Sequence, residues 1–176
     1  MILPVFIILL ILILGVFIYF IVDAKKTKTV ETPPYIPNFQ DEQLQKKMLR
    51  EAQTCAESVM TTFDKMLDYT EESIKTLDDV INELYSKKDL GTDIQERILV
   101  TYGAYFGQTF INNMSGIWFQ HPNFNLPIVF SPKALFEFSP FEILKDKFRL
   151  LDKYDLSIAY HDLVTQYRRR LNELRT

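Results

Sequence analysis

Hydrophobic positions along this chain change their spacing three times. From Met1 to Val22 there is no charged side chain, and then Asp23, Lys25, Lys26 and Lys28 arrive together. A run of that length is what an α-helix needs to cross a hydrocarbon core about 30 Å thick, at about 1.5 Å of rise per residue. Residues 1–22 are therefore expected to be a transmembrane anchor. A cleaved secretory signal carries basic residues ahead of a shorter apolar core, and Val22-Asp23-Ala24 is only a weak match to a cleavage site. A soluble core helix seldom stays apolar on every face. The Lys excess comes after the span, which predicts that the chain beyond it faces the cytoplasm. Lys25, Lys26 and Lys28 then flank the bilayer, where anionic headgroups attract each by about 1 kcal/mol.

Residues 23–40 read as a juxtamembrane linker. Thr27, Thr29, Thr32, Pro33, Pro34 and Pro37 favour extended, partly polyproline backbone, and Tyr35, Ile36 and Phe39 are apolar enough to dock on the domain. From Asp41, an N-cap residue, the spacing becomes helical. Leu44, Met48, Ala52, Cys55, Val59, Phe63 and Leu67 step mostly by three and four. Thr70 caps a second helix with Glu71 and Glu72 in its first turn, where the helix dipole favours anions. Ile74, Leu77, Ile81 and Leu84 form its apolar face, leaving Asp78, Asp79 and Glu83 to a solvated one. The two helices are expected to pair as an antiparallel hairpin. Gly91 reads as a stop, and a third helix runs from Thr92 or Asp93 to about Met114, with Ile94, Ile98, Tyr102, Phe106 and Phe110 inward. Gly103 and Gly107 stand one turn apart in it. Each costs roughly 1 kcal/mol against alanine, so a close contact with the first helix or with the stretch around Trp118 is expected there.

After Ser115-Gly116 the spacing drops to two. Residues 117–120, 126–130 and 134–138 read as short strands of an antiparallel meander. Pro127, without an N–H, belongs at an edge or a strand start. Ser139-Pro140 opens a helix with Phe141, Leu144, Phe148 and Leu151 on one face. A last helix from Leu156 carries Tyr160, Leu163, Val164, Tyr167, Leu171 and Leu174. Residues 41–176 are thus expected to form one α+β domain: a helical hairpin and third helix, a β-meander, and two C-terminal helices.

Composition narrows the function. Fourteen Phe and nine Tyr against five Gly point to an ordered core, and a net charge of −3 supplies no basic field for nucleic acid. The single Cys55 fits a reducing compartment and lies on a buried stripe, where a thiol is structural. Arg168, Arg169 and Arg170 suit the negative end of a helix dipole, and they are also candidates for an acidic partner or lipid headgroups.

Leu67-Asp68-Tyr69-Thr70-Glu71-Glu72-Ser73, Gly103-Ala104-Tyr105-Phe106-Gly107, Gly116-Ile117-Trp118 and Pro140-Phe141 together resemble small bacterial domains of uncharacterised function. Those domains share an LDYS-x-x-S, GAYLGE, G-x-W and P-F pattern. The likeness covers about residues 60–150 and implies an α+β fold in a bacterial inner membrane protein, with no activity attached. Gln108 departs from it, standing where the pattern has Glu.

Catalytic signatures are missing: no P-loop, no GxGxxG, no GxSxG. His121 and His161 lack neighbours at zinc-ligand spacing, and no cofactor or metal is expected. The expectation is a non-enzymatic, membrane-tethered interaction module with a protein partner, including a role in neutralising a toxin or in a defence complex. Its candidate contact residues are Arg168, Arg169, Arg170, Gly103, Gly107 and Trp118. The alternative is an enzyme with a cryptic carboxylate or histidine site.

Overall fold

The computed structural model describes residues 41–87, 90–122 and 125–175. The expected anchor, the linker and Lys25, Lys26 and Lys28 lie outside these. No helix among the described residues is long and apolar enough to cross a membrane.

The described chain is α+β, with five α-helices and a three-stranded antiparallel sheet. Helix α1 spans Glu42–Phe63, and the Asp41 carboxylate accepts the Leu44 N–H at 2.9 Å. Met48, Ala52, Cys55 and Val59 are its buried stripe. The helix stops at Phe63 rather than Leu67 because Asp64 turns left-handed (φ 54°), its N–H bonded to the Met60 carbonyl. Leu67 is still buried, but by chain outside the helix. Helix α2 spans Glu71–Lys87, with Thr70 Oγ1 accepting the Ser73 N–H at 3.2 Å.

Helix α3, Thr92–Met114, is the centre of the fold. Nine of its residues between Thr101 and Phe110 are buried, so apolar contacts surround it on most sides. Ile94, expected to face inward, is 53% exposed. Gly91 opens this helix as its N-cap at an ordinary φ of −58°. The left-handed residues among the described chain are Asp64, Tyr69, Ser115, Leu135 and Leu151, and no described glycine is among them.

The expected α1–α2 hairpin is not what forms. Helix α1 lies along α3, and α2 packs chiefly on the last helix. Two left-handed residues, Asp64 and Tyr69, fall in the short connection. They redirect α2 across the domain instead of folding it back on α1.

Strands β1 (Ile117–Phe119), β2 (Ile128–Ser131) and β3 (Phe136–Phe138) form the expected meander in the order β1-β2-β3. Pro127 precedes β2, so the central strand loses no ladder bond. The register pairs Trp118 with Val129 and Val129 with Phe138. These three side chains share the face turned to α3.

Helix α4, Pro140–Leu150, starts as expected. Ser139 Oγ accepts the Glu142 N–H, and proline takes the first turn. A 3₁₀ turn at Leu151–Lys153 leads to helix α5, Leu156–Glu173, whose N-cap is Asp155. Phe110 of α3 gathers Phe138, Tyr160 and Tyr167 around it at centroid separations of 4.8, 6.3 and 5.6 Å, all edge-on, the arrangement aromatic quadrupoles favour.

Candidate functional site

The glycine pair and Trp118 prove to be one packing joint. A Cβ on Gly107 would run into the Trp118 indole and sit 2.8 Å from Pro140 Cγ; one on Gly103 would sit 2.5 Å from Phe141 Cδ1. The close contact is therefore with β1, as expected, and also with the first turn of α4. The first helix is not the partner. Trp118 is only 2% exposed. As surface contacts, then, Gly103, Gly107 and Trp118 are corrected: all three are covered by the domain's own chain.

The indole is fixed from two sides. Its Nε1–H donates to Gln108 Oε1 at 3.1 Å. Its backbone N–H donates to Gln45 Oε1 at 3.0 Å, while its carbonyl accepts from Gln45 Nε2 at 2.6 Å. The Gln45 amide thus takes the place of a neighbouring strand and closes the free edge of β1, a usual point of unwanted pairing. Gln108, where the chain departs from the pattern it resembles, serves as the indole's acceptor. Nothing in the sequence singles out Gln45, one residue from the apolar stripe.

The LDY and GAY motifs meet in space. Tyr69, left-handed at φ 63°, is costly for a bulky side chain, and three contacts hold it. Its N–H donates to the Tyr105 hydroxyl at 2.8 Å, its carbonyl accepts from Asn113 Nδ2 at 2.8 Å, and its ring stacks on Tyr105 at 4.8 Å. Ser73 Oγ lies 2.6 Å from the same hydroxyl. The Thr70 hydroxyl and N–H both donate to Asp68 and hold its carboxyl below the usual range. These motif residues form a turn and its brace.

Burial pushes the Tyr105 and Tyr160 phenols up to about 12 from 10, and Tyr102 higher still. Raised folded values mean that the neutral phenols contribute stability in full below the unfolded value near 10. That contribution is lost as pH rises through the folded values. Stability against urea is expected to drop between pH 10 and 12. Absorbance titration at the phenolate band should show late-ionising tyrosines that become ordinary in denaturant; uniform ionisation near 10 in the native state would contradict this burial.

The polar centre of the interior departs from expectation. Asp78, expected on a solvated face, is buried, and Lys147 is wholly buried. Their Nζ and Oδ1 atoms are 2.8 Å apart. Lys147 also donates to the carbonyls of Leu151 (3.1 Å) and Tyr154 (2.8 Å). Asp78 accepts the Leu156 N–H at 2.9 Å and Asn82 Nδ2 at 3.0 Å. One ion pair therefore ties α2 to the α4–α5 corner, where Leu151 is left-handed. The available signal was Lys147 standing three residues after Leu144, on the apolar side of α4.

The remaining candidates stay apart. Arg168, Arg169 and Arg170 are exposed, and the latter two share Glu173 at 3.9 and 3.5 Å. His161 is exposed and His121 half-buried against Phe119, whereas Cys55 is fully buried, its thiol pushed well up by that burial. No cluster able to hold a metal occurs among the described residues. One concavity stands out. Between the C-terminal half of α1 and the N-terminal half of α3 runs a groove of about 430 Å³. Phe63, Ile98 and Tyr102 line it with Thr62, Asp93 and Arg97, and Ile94 is exposed beside them.

The molecule is thus an α+β domain in which most of the polar side chains that sequence makes conspicuous serve as braces. No family model, curated protein or solved structure matches the chain.

Proposed function

We propose that this chain is a membrane-tethered protein-interaction module of a bacterial inner membrane, with its domain in the cytoplasm and the α1–α3 groove as its contact face. The groove carries the reading. It lies between two helices, combines apolar residues with Asp93 and Arg97, and includes Ile94 at 53% exposure. Helix-in-groove recognition uses such a surface. Asp78, Lys147, Ser73, Tyr105 and Gln108 are engaged in internal bonds, which leaves the groove as the described surface suited to a partner. The motif resemblance supports placing the domain with small bacterial α+β domains. A toxin or defence component recognised at the membrane is the partner class that a small tethered domain of this kind suits.

The test is a photo-crosslinking residue at Thr62 in the full chain, in its own membranes. A discrete adduct of one mass is expected. It should disappear with Ile94→Asp, which leaves the melting temperature within about 2 °C because Ile94 is a surface position. Equal adducts from the same crosslinker at Lys145, on α4, would overturn the groove assignment.

A further inference from the structure

The sheet has a second buried surface. Phe119 and Ile128 are cross-strand partners, 8% and 2% exposed. Strand alternation sets them on the face opposite Trp118 and Val129. Trp118 and Val129 belong to the central apolar cluster; Phe119 and Ile128 do not. The contacts that α3 and α4 make with Trp118, and α3 with Phe138, lie on the Trp118 face. A separate cover must lie over Phe119 and Ile128.

We propose that the chain just ahead of α1 is this cover, with Phe39 as the side chain that docks on Phe119 and Ile128. The two Gln45 bonds clamp the first turn of α1 against Trp118. Asp41 lies one helical turn before Gln45, about 6 Å along the axis. Phe39 is two residues further back, at most about 7 Å of extended chain. Its ring therefore reaches the outer side of β1, and the chain partitions there too: Asn38–Thr176 form one compact unit, with the boundary at Pro37. Docking fixes the point at which the linker leaves the domain, beside β1, and shortens the free tether to the residues before Asn38.

A benzophenone side chain in place of Phe39, in the full chain in membranes, tests this directly. Irradiation is expected to give an intrachain crosslink that peptide mapping places in Ile117–Phe119 or Ile128–Phe130. Adducts to lipid, to a second protein or to other segments would overturn the assignment. Amide exchange gives the second readout. Phe39→Ala is expected to speed exchange at Phe119 and Ile128 roughly tenfold, with Phe39→Leu restoring most of the protection. If Phe124→Ala produces that effect and Phe39→Ala does not, the β1–β2 loop is the cover and the proposal fails. Neither readout depends on a groove partner.

Discussion

Asp78→Ala is expected to destabilise the domain by about 3–5 kcal/mol, the usual cost of removing one member of a buried ion pair. For a domain of this size that is a fall in melting temperature on the order of 10 °C or more. The cause is what remains. The Lys147 side chain is 1% exposed, and without the carboxylate it keeps two carbonyl partners and no counter-charge. The Leu156 N–H also loses its acceptor at the start of α5. Lys147→Met should cost less. The Asp78 side chain is 12% exposed, nearer to water, and retains the Leu156 N–H and the Asn82 amide. The double change Asp78→Asn with Lys147→Met removes both charges and leaves an amide oxygen for Leu156. It should recover more than half of the loss, because desolvation offsets much of the gain of a buried pair. Denaturant unfolding of the four proteins checks this. An Asp78→Ala protein within about 1 kcal/mol of the parent would show that the pair does not hold the α2–α4–α5 corner together.

Gly107→Leu ranks second, and Gly107→Ala decides the principle. Alanine in a helix interior gains about 1 kcal/mol over glycine, so an open site would be stabilised. Here the added Cβ meets the Trp118 ring and Pro140 Cγ. Neither yields easily, since Gln108 and Gln45 hold Trp118 and proline has a rigid ring. Overpacking of this kind costs about 1–3 kcal/mol, sometimes more, so the clash outweighs the propensity gain. A net loss is expected for alanine and a larger one for leucine. Gly103→Ala should behave likewise against Phe141, somewhat more mildly, because its contacts are one edge of a single ring. Thermal melts of the full chain in detergent read the sign. Variants that melt at or above the parent yet lose the Thr62 adduct would make the strip a recognition surface.

Local elements were legible in the residues alone. Cap residues Asp41, Thr70 and Ser139 act within three residues of themselves, so their bonds to Leu44, Ser73 and Glu142 show as spacing. The shift of period at Ser115-Gly116 marks the meander, because alternation is a property of the strand alone. The glycine pair announces a close contact for the same kind of reason: two glycines one turn apart weaken a helix unless something occupies the space. What occupies it was only partly legible. Trp118 was within expectation, but Pro140 and Phe141 come from a helix whose docking no local pattern encodes.

The remainder was settled by tertiary packing. The course of α2 turns on left-handed backbone at Asp64 and Tyr69, neither a glycine, and Tyr69 is held there by Tyr105 and Asn113 from a distant helix. Asp78 looks like a surface charge beside Asp79, and no local pattern names a partner for Lys147; the two find each other across 69 residues. Gln45 became the partner of a strand edge only once α1 lay beside β1. Short-range bonds depend on chain positions that can be read directly. A buried charge or a borrowed amide depends on which surfaces meet, and that is set by packing of the whole domain.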